Sequence, residues 1–378
     1  MLRRHILKGC LMSLLLPNLS LRSVFASDAD IDAIVDSSSE GQGQIATYPT
    51  IAAAIAATPA QRTRPWRIAI REGRYREKLF IDKPDIVLVG AGQEKTVISF
   101  DAYAGGTAPD GSHWGTFDSG TIIVRAPGFA AKDLTIANTF DFLAHDGRDP
   151  HAVNRVGASQ AVALMLDRGA DRSLFDTVAI NGFQDTLFTD QGRSLFRRCQ
   201  ISGNVDFIFG AGTALFVDCD IVSRKRADPA ILPAGFVTAP STALAHPYGL
   251  VFHHCRLLKE DASIPPASHY LGRPWHPTRD FADGRYADPD AVGQAVFLTC
   301  EMEDHIATNG WTEMTGLAKD GTRRSFLPFE HARFLECESH GPGAAVNPDR
   351  PQLTTQQAAL FAPEKVLGDW HAALLQQQ

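Results

Sequence analysis

Two aspartates, Asp185 and Asp206, stand 21 residues apart, each inside a run of apolar and aromatic neighbours. The runs are Gly182-Phe183-Gln184-Asp185-Thr186-Leu187-Phe188 and Gly203-Asn204-Val205-Asp206-Phe207-Ile208-Phe209-Gly210. Alone, either aspartate reads as a solvated turn residue. Solvated turns are seldom so aromatic, and a fold that stacks the two gives a different chemistry. Like charges at short range cannot both ionise cheaply, so one carboxyl stays protonated as an acid while the other serves as base or nucleophile. Gln184 precedes the first aspartate, and Gln160, in Gln160-Ala161-Val162-Ala163-Leu164, lies about one coil earlier. Two neutral amides beside two carboxylates offer donors to a developing oxyanion.

The element that would position these groups is a repeat. Five cysteines share one local frame: Phe196-x-x-Cys199, Phe216-x-x-Cys219, Phe252-x-x-Cys255, Phe297-x-x-Cys300 and Phe334-x-x-Cys337. Phe175-Asp176-Thr177-Val178 fits with valine in the cysteine place, giving steps of 21, 20, 36, 45 and 37 residues. A frame recurring at this spacing is the mark of a solenoid whose short steps are single coils and whose long steps carry loops. Asp185 lies seven residues after Val178 and Asp206 seven after Cys199, so both occupy one phase of the coil. Short β-branched segments such as Ile86-Val87-Leu88-Val89 and Thr121-Ile122-Ile123-Val124 alternate with Pro, Gly and Asp-rich stretches. The expected fold is all-β: one right-handed parallel β-helix over residues 27–378, capped by a short N-terminal helix at 50–57, with long loops forming a substrate cleft. A second short helix is expected at 354–360. A β-sandwich would leave the repeated frame unexplained.

Equivalent residues on adjacent coils sit about 4.8 Å apart, inside the Cα separation that a disulfide accepts, so Cys199 and Cys219 are expected to be bridged. A ladder of reduced thiols is the alternative. Residues 1–26 read as a secretory signal: Arg3, Arg4 and Lys8 precede an apolar run that ends in Val24-Phe25-Ala26. The paired arginines leave the general and twin-arginine routes both open. Cleavage removes four basic residues and takes the net charge from −7 to −11. An acidic chain without a basic, aromatic-interleaved stripe excludes a nucleic-acid partner, and the reading is a protein exported through the periplasm and free of the membrane after cleavage.

At this point the residues resemble a family, the pectin methylesterases. Gln160-Ala161-Val162-Ala163-Leu164, Gln184-Asp185-Thr186-Leu187, Val205-Asp206-Phe207-Ile208-Phe209-Gly210 and Leu271-Gly272-Arg273-Pro274-Trp275 match its signatures in order. Gly73-Arg74-Tyr75-Arg76-Glu77 and the opening Tyr48-Pro49-Thr50-Ile51 match as well, so the likeness spans roughly residues 34–370 and is nearest to secreted enzymes of plant-pathogenic bacteria. The resemblance implies hydrolysis of galacturonic acid methyl esters in pectin to pectate and methanol through an aspartyl acyl-enzyme. By motif, Asp206 is the nucleophile and Asp185 the acid, then the base. Gln184 and Gln160 hold the oxyanion, and Arg273 orients Asp206 and keeps it ionised. Trp275 offers an apolar face to a sugar ring, and Val205, Phe209, Thr116 and Met314 line the groove. Phe188 stands where the family often has tyrosine and Asn204 where it often has threonine, both read as tuning subsites.

The rival readings are a pectate lyase or polygalacturonase, another esterase such as an acyl thioesterase, and a binding-only β-helix. A lyase of this shape wants a carboxylate cluster for Ca²⁺, which the sequence lacks, and a binding protein would lack one of Asp185, Asp206 and Arg273. No Gly-x-Ser-x-Gly or His-Glu-x-x-His motif occurs, and His253-His254 on a strand would point to opposite faces. The expected enzyme therefore needs no cofactor and no metal, and works as a monomer on methyl-esterified homogalacturonan. Arg224-Lys225-Arg226 reads as a solvated edge, or as a contact for free carboxylates on the polymer.

Overall fold

A computed structural model describes residues 30–38, 44–146 and 156–376; the expected signal segment, with Cys10, lies outside the described residues. The chain winds as a right-handed parallel β-helix. Each coil contributes a strand to one of three stacked runs. The coil around the two aspartates runs Arg193–Arg197, Gln200–Gly203 and Ile208–Gly210, and the next coil pairs with it in parallel at Thr213–Val217, Asp220–Ser223 and Gly235–Pro240. Between the first two strands the corner is one residue in the left-handed region: Asp133, Thr177, Arg198, Asp218, His254 and Thr299 all have φ between 51° and 56°. A single left-handed residue turns the chain sharply without interrupting the ladders on either side of it.

The inner faces explain the repeated frame. Phe175, Phe196, Phe216, Phe252 and Phe297 are paired in register and stacked ring on ring, with centroids 4.4 to 4.8 Å apart. All five are fully buried, and removing one such ring would cost about 3–5 kcal/mol. Val178, Cys199, Cys219, Cys255 and Cys300 form a second buried ladder.

Two expectations fail here. The cysteines are free thiols, and Cys199 and Cys219 are not bridged. Their sulfurs lie over backbone carbonyls of the coil instead, Cys199 Sγ 3.4 Å from Arg197 O and Cys219 Sγ 3.4 Å from Phe196 O. In-register residues project parallel Cα–Cβ bonds, so the Cβ atoms keep the strand spacing of about 4.8 Å, whereas a disulfide draws them to about 3.8 Å. The fifth frame is also out of step. Phe297 pairs with Glu336 and Leu298 with Cys337, so Phe334 and Cys337 are two positions short of their ladders. The Phe position in this last coil is taken by Glu336, which Arg350 grips with Nε at 2.7 Å and Nη2 at 2.5 Å, both side chains buried. A fully paired charge tolerates that burial and closes the end of the helix.

The N-terminal end is closed by the helix Ile51–Ala56, which buries Ile51, Ala54 and Ile55. Thr50 caps it by accepting from Ala53 N, and the Glu77 carboxylate accepts from Ile51 N and Ala52 N at 2.9 Å. The expected C-terminal helix appears as Thr355–Ala358 with a capping box, continued by a 3₁₀ turn at Ala359–Phe361. It begins a tail of helices, Pro363–Leu367 and Asp369–Gln376, that covers the outer face of the first run through Phe361, Val366, Leu367, Trp370 and Leu374. No helix among the described residues is long and apolar enough to cross a membrane.

Candidate active site

The third run is a seven-stranded sheet whose strands include Leu164–Leu166, Leu187–Thr189, Ile208–Gly210, Gly235–Pro240 and His269–Gly272. The corner leading into it carries the chemistry. Leu187 pairs with Ile208, so Asp185 and Asp206 sit at the same point of consecutive coils, and Asp185 N donates to Val205 O at 3.0 Å. Both have left-handed backbones, φ 62° and 51°, which asparagine and aspartate tolerate better than other side chains. Asn204 secures this corner: its Oδ1 accepts from Val205 N at 2.8 Å, its carbonyl accepts from Phe236 N and its own N–H donates to Phe183 O. It is fully buried, so it builds the turn and does not tune a subsite.

Arg273 follows the last strand of the sheet and reaches back to Asp206, with Nε to Oδ1 at 2.8 Å and Nη2 to Oδ2 at 2.6 Å. Its guanidinium lies 3.7 Å from the centroid of Phe236, which fixes the plane of the fork. Asp185 has no such partner among the described residues. Burial pushes its carboxyl well above the ordinary carboxylate range, and the neighbouring Asp206 charge adds to this against a smaller opposing pull from Arg273. The two aspartates thereby differ: Asp206 is ion-paired with Arg273, and Asp185 is shifted toward its protonated form.

Gln184 Oε1 accepts from Ser159 Oγ at 2.9 Å, which leaves its amide nitrogen to donate elsewhere. Gln160 lies one coil before Gln184, as expected, with Ala161 N donating to Gln184 O at 3.1 Å. Its Oε1 is buried without a partner among the described residues. On the outer face of the sheet Phe188 stacks on Phe209 at 4.2 Å, and Trp275 meets both rings edge on, at 6.1 Å and 5.6 Å. Phe188 is completely buried, so it supports the wall and does not itself face a ligand, while Trp275 is half-buried and Phe209 keeps only 3% of its surface. Thr116 lies in the short helix Gly115–Asp118 beside Phe117, a 54% exposed ring that meets Phe188 at 5.2 Å. Val205 is half-buried between Asn204 and Asp206. Met314 opens a hairpin whose Phe326 stacks at 3.8 Å on His276, the residue after Trp275.

Sequence reasoning missed Ser159, Phe117, Phe236 and the anchoring role of Asn204. Ser159 and Phe117 belong to segments outside the coil period; the exposed Phe117 beside Thr116 was the one available signal. The basic run is also corrected. Arg224 pairs with Glu260, Lys225 with Asp261, and Arg226 with Asp146, so the run is no pocket of free charge, and Lys225 alone of the three stands exposed as a solvated edge residue. Arg224 additionally lies 3.7 Å over the Phe183 ring and donates to Gly182 O, bracing the chain that carries Asp185.

The sequence model of the Pectinesterase family matches residues 33–347. Pectinesterase A of Dickeya chrysanthemi is 45% identical over 339 residues, covering 89% of this chain and 90% of its own. Among solved structures, a pectin methylesterase in complex with a hexasaccharide is 46% identical, with TM-score 0.86 over 90% of this chain and 98% of that one. The carrot pectin methylesterase is 26% identical, with TM-score 0.69 over 92% and 97%.

Proposed function

The chain belongs to the pectinesterase family, and from that premise we propose that it hydrolyses the methyl esters of galacturonic acid in pectin, with Asp206 as nucleophile and Asp185 as acid and then base. The observation that carries the assignment is the asymmetry of the stacked pair. Asp206 is gripped and aimed by the Arg273 fork, whereas burial pushes the Asp185 carboxyl well above the ordinary carboxylate range.

An Asp206 oxygen attacks the ester carbonyl carbon. The carbonyl oxygen gains negative charge and is met by amide donors from Gln184 and Gln160, while the free Gln160 Oε1 suits a sugar hydroxyl. The C–O bond to the methoxy group breaks as Asp185 delivers its proton, so methanol leaves and an aspartyl anhydride remains. Asp185, now a carboxylate, takes a proton from water as that water attacks the galacturonoyl carbon. The anhydride opens, Asp206 leaves as carboxylate, and both side chains regain their starting states. Trp275 and Phe209 give the methylated sugar an apolar wall.

The same reading has residues 1–26 export the enzyme, and a single domain from residue 27 onward act as a monomer outside the cell. Methanol release from highly methylated pectin tests the activity. Release without new reducing ends or unsaturated products supports the esterase; the converse would identify a polygalacturonase or a lyase.

A further inference from the structure

The register of the seven-stranded sheet carries its outer face well past the aspartates. Phe80, Ile123, Met165, Phe188 and Phe209 are paired neighbours on successive strands. Four strand steps of about 4.8 Å place Phe80 about 19 Å from Phe209. The end at Phe80 is open: Phe80 is 39% exposed, and Phe117, 54% exposed, meets Phe188 nearer the aspartates. Two cations border the Phe80 ring, Lys78 Nζ at 5.3 Å and Arg125 Cζ at 5.1 Å from its centroid, and Lys78 also lies 4.9 Å from the ring of Trp114.

The two cations differ in what they lack. Arg125 is already held by Asp167 at 2.9 Å and Asp118 at 3.5 Å. Lys78 donates to Gly120 O at 2.5 Å and makes no ion pair among the described residues. Burial pulls its ammonium down to about 8, with only partial relief from Asp118. This is a half-desolvated ammonium with N–H groups to spare, fenced by aromatic faces, on the sheet that carries the reaction. A carboxylate is the group that would complete it.

We propose that Lys78, Phe80 and Trp114 form a distal subsite that binds the free carboxylate of an already de-esterified galacturonate unit on the polymer chain whose ester lies at Asp206. The proposal rests on the pectinesterase reading for its ligand. A uronic acid polymer has both features the patch selects, a ring with apolar C–H faces and a carboxylate, and the enzyme's own product supplies them. The enzyme then reads esterification at two points, ester at the aspartates and acid at Lys78.

Binding of polygalacturonate needs no turnover, so calorimetric titration of wild-type, Lys78→Met and Lys78→Arg proteins decides the subsite separately from the esterase activity. Lys78→Met keeps the stem and removes the charge. It is expected to weaken polygalacturonate about tenfold, the loss of one charge-assisted hydrogen bond. Binding of highly methylated pectin and kcat on a methylated oligomer too short to reach Lys78 should be unchanged, and Lys78→Arg should restore the polygalacturonate affinity. Wild-type affinity in Lys78→Met, or an equal loss for methylated and free polymer, would overturn the subsite.

Discussion

Asp185 and Asp206 share one corner of the coil and nearly one backbone conformation, but a guanidinium touches only Asp206. The same residue type, repeated one coil later, thus sits in two different electrostatic settings. The cause lies outside the repeat: Arg273 arrives from the last strand of the sheet, and burial does the rest for Asp185.

Burial of Asp185 has a cost that can be measured. Its native carboxyl keeps a proton that the unfolded chain releases above the ordinary carboxylate range, so folding is penalised as pH rises through that interval. Asp185→Asn should abolish methanol release and raise Tm at neutral pH, the gain shrinking in acid. A lower Tm at neutral pH would contradict the protonated state.

Arg273 acts through geometry as well as charge. Lysine keeps the charge but loses the two-pronged contact and the seat on Phe236. If Asp206 is the nucleophile, as proposed, Arg273→Lys is expected to lower kcat by about 100-fold, the effect of a misplacement of about 1 Å, with KM and Tm little changed. A change confined to KM would place Arg273 in substrate binding alone.

Much of this was legible in the sequence, and the failures have physical causes. Repeats expose what recurs in register, so the Phe ladder from Phe175 to Phe297 and the phase of the two aspartates could be read directly. Spacing fixes where a Cα lies but not where its Cβ points, hence the wrong bridge between Cys199 and Cys219. The last frame failed because the end of a solenoid must stop the stacking, and Glu336 with Arg350 does so. The ties of Arg226 to Asp146, 80 residues away, and of Ser159 to Gln184 have no period and left no local trace.

The thiol ladder makes a clean count. Burial holds Cys199 and Cys255 well above the ordinary thiol range, and all five described cysteines are buried. Thiol titration of denatured, unreduced protein should find all five of these reactive, and reductant should leave Tm unchanged. A count short by two would restore a bridge.

Acid, which relieves the burial of Asp185, should loosen the fold at a pair of histidines. His269 and His305, fully buried with rings 5.5 Å apart, are pulled down from 6.5 to about 4 and about 3, chiefly by burial. Between the unfolded and folded values the unfolded chain binds more protons, so stability is present above about 6.5 and is lost as pH falls toward 4. Tm should therefore drop across that window, and less steeply in His305→Asn. Equal slopes would show that the pair does not titrate on unfolding.

The two aspartates are told apart most directly by an ester of galacturonic acid whose alcohol is a good leaving group, mixed with each variant in stoichiometric amounts. Such an alcohol departs without an acid, but the acyl-enzyme still needs a base to be cleared. Asp185→Asn should release one equivalent of alcohol per active site in a burst and then stall, whereas Asp206→Asn should release none. A burst from Asp206→Asn, or none from Asp185→Asn, would contradict the roles assigned to the pair.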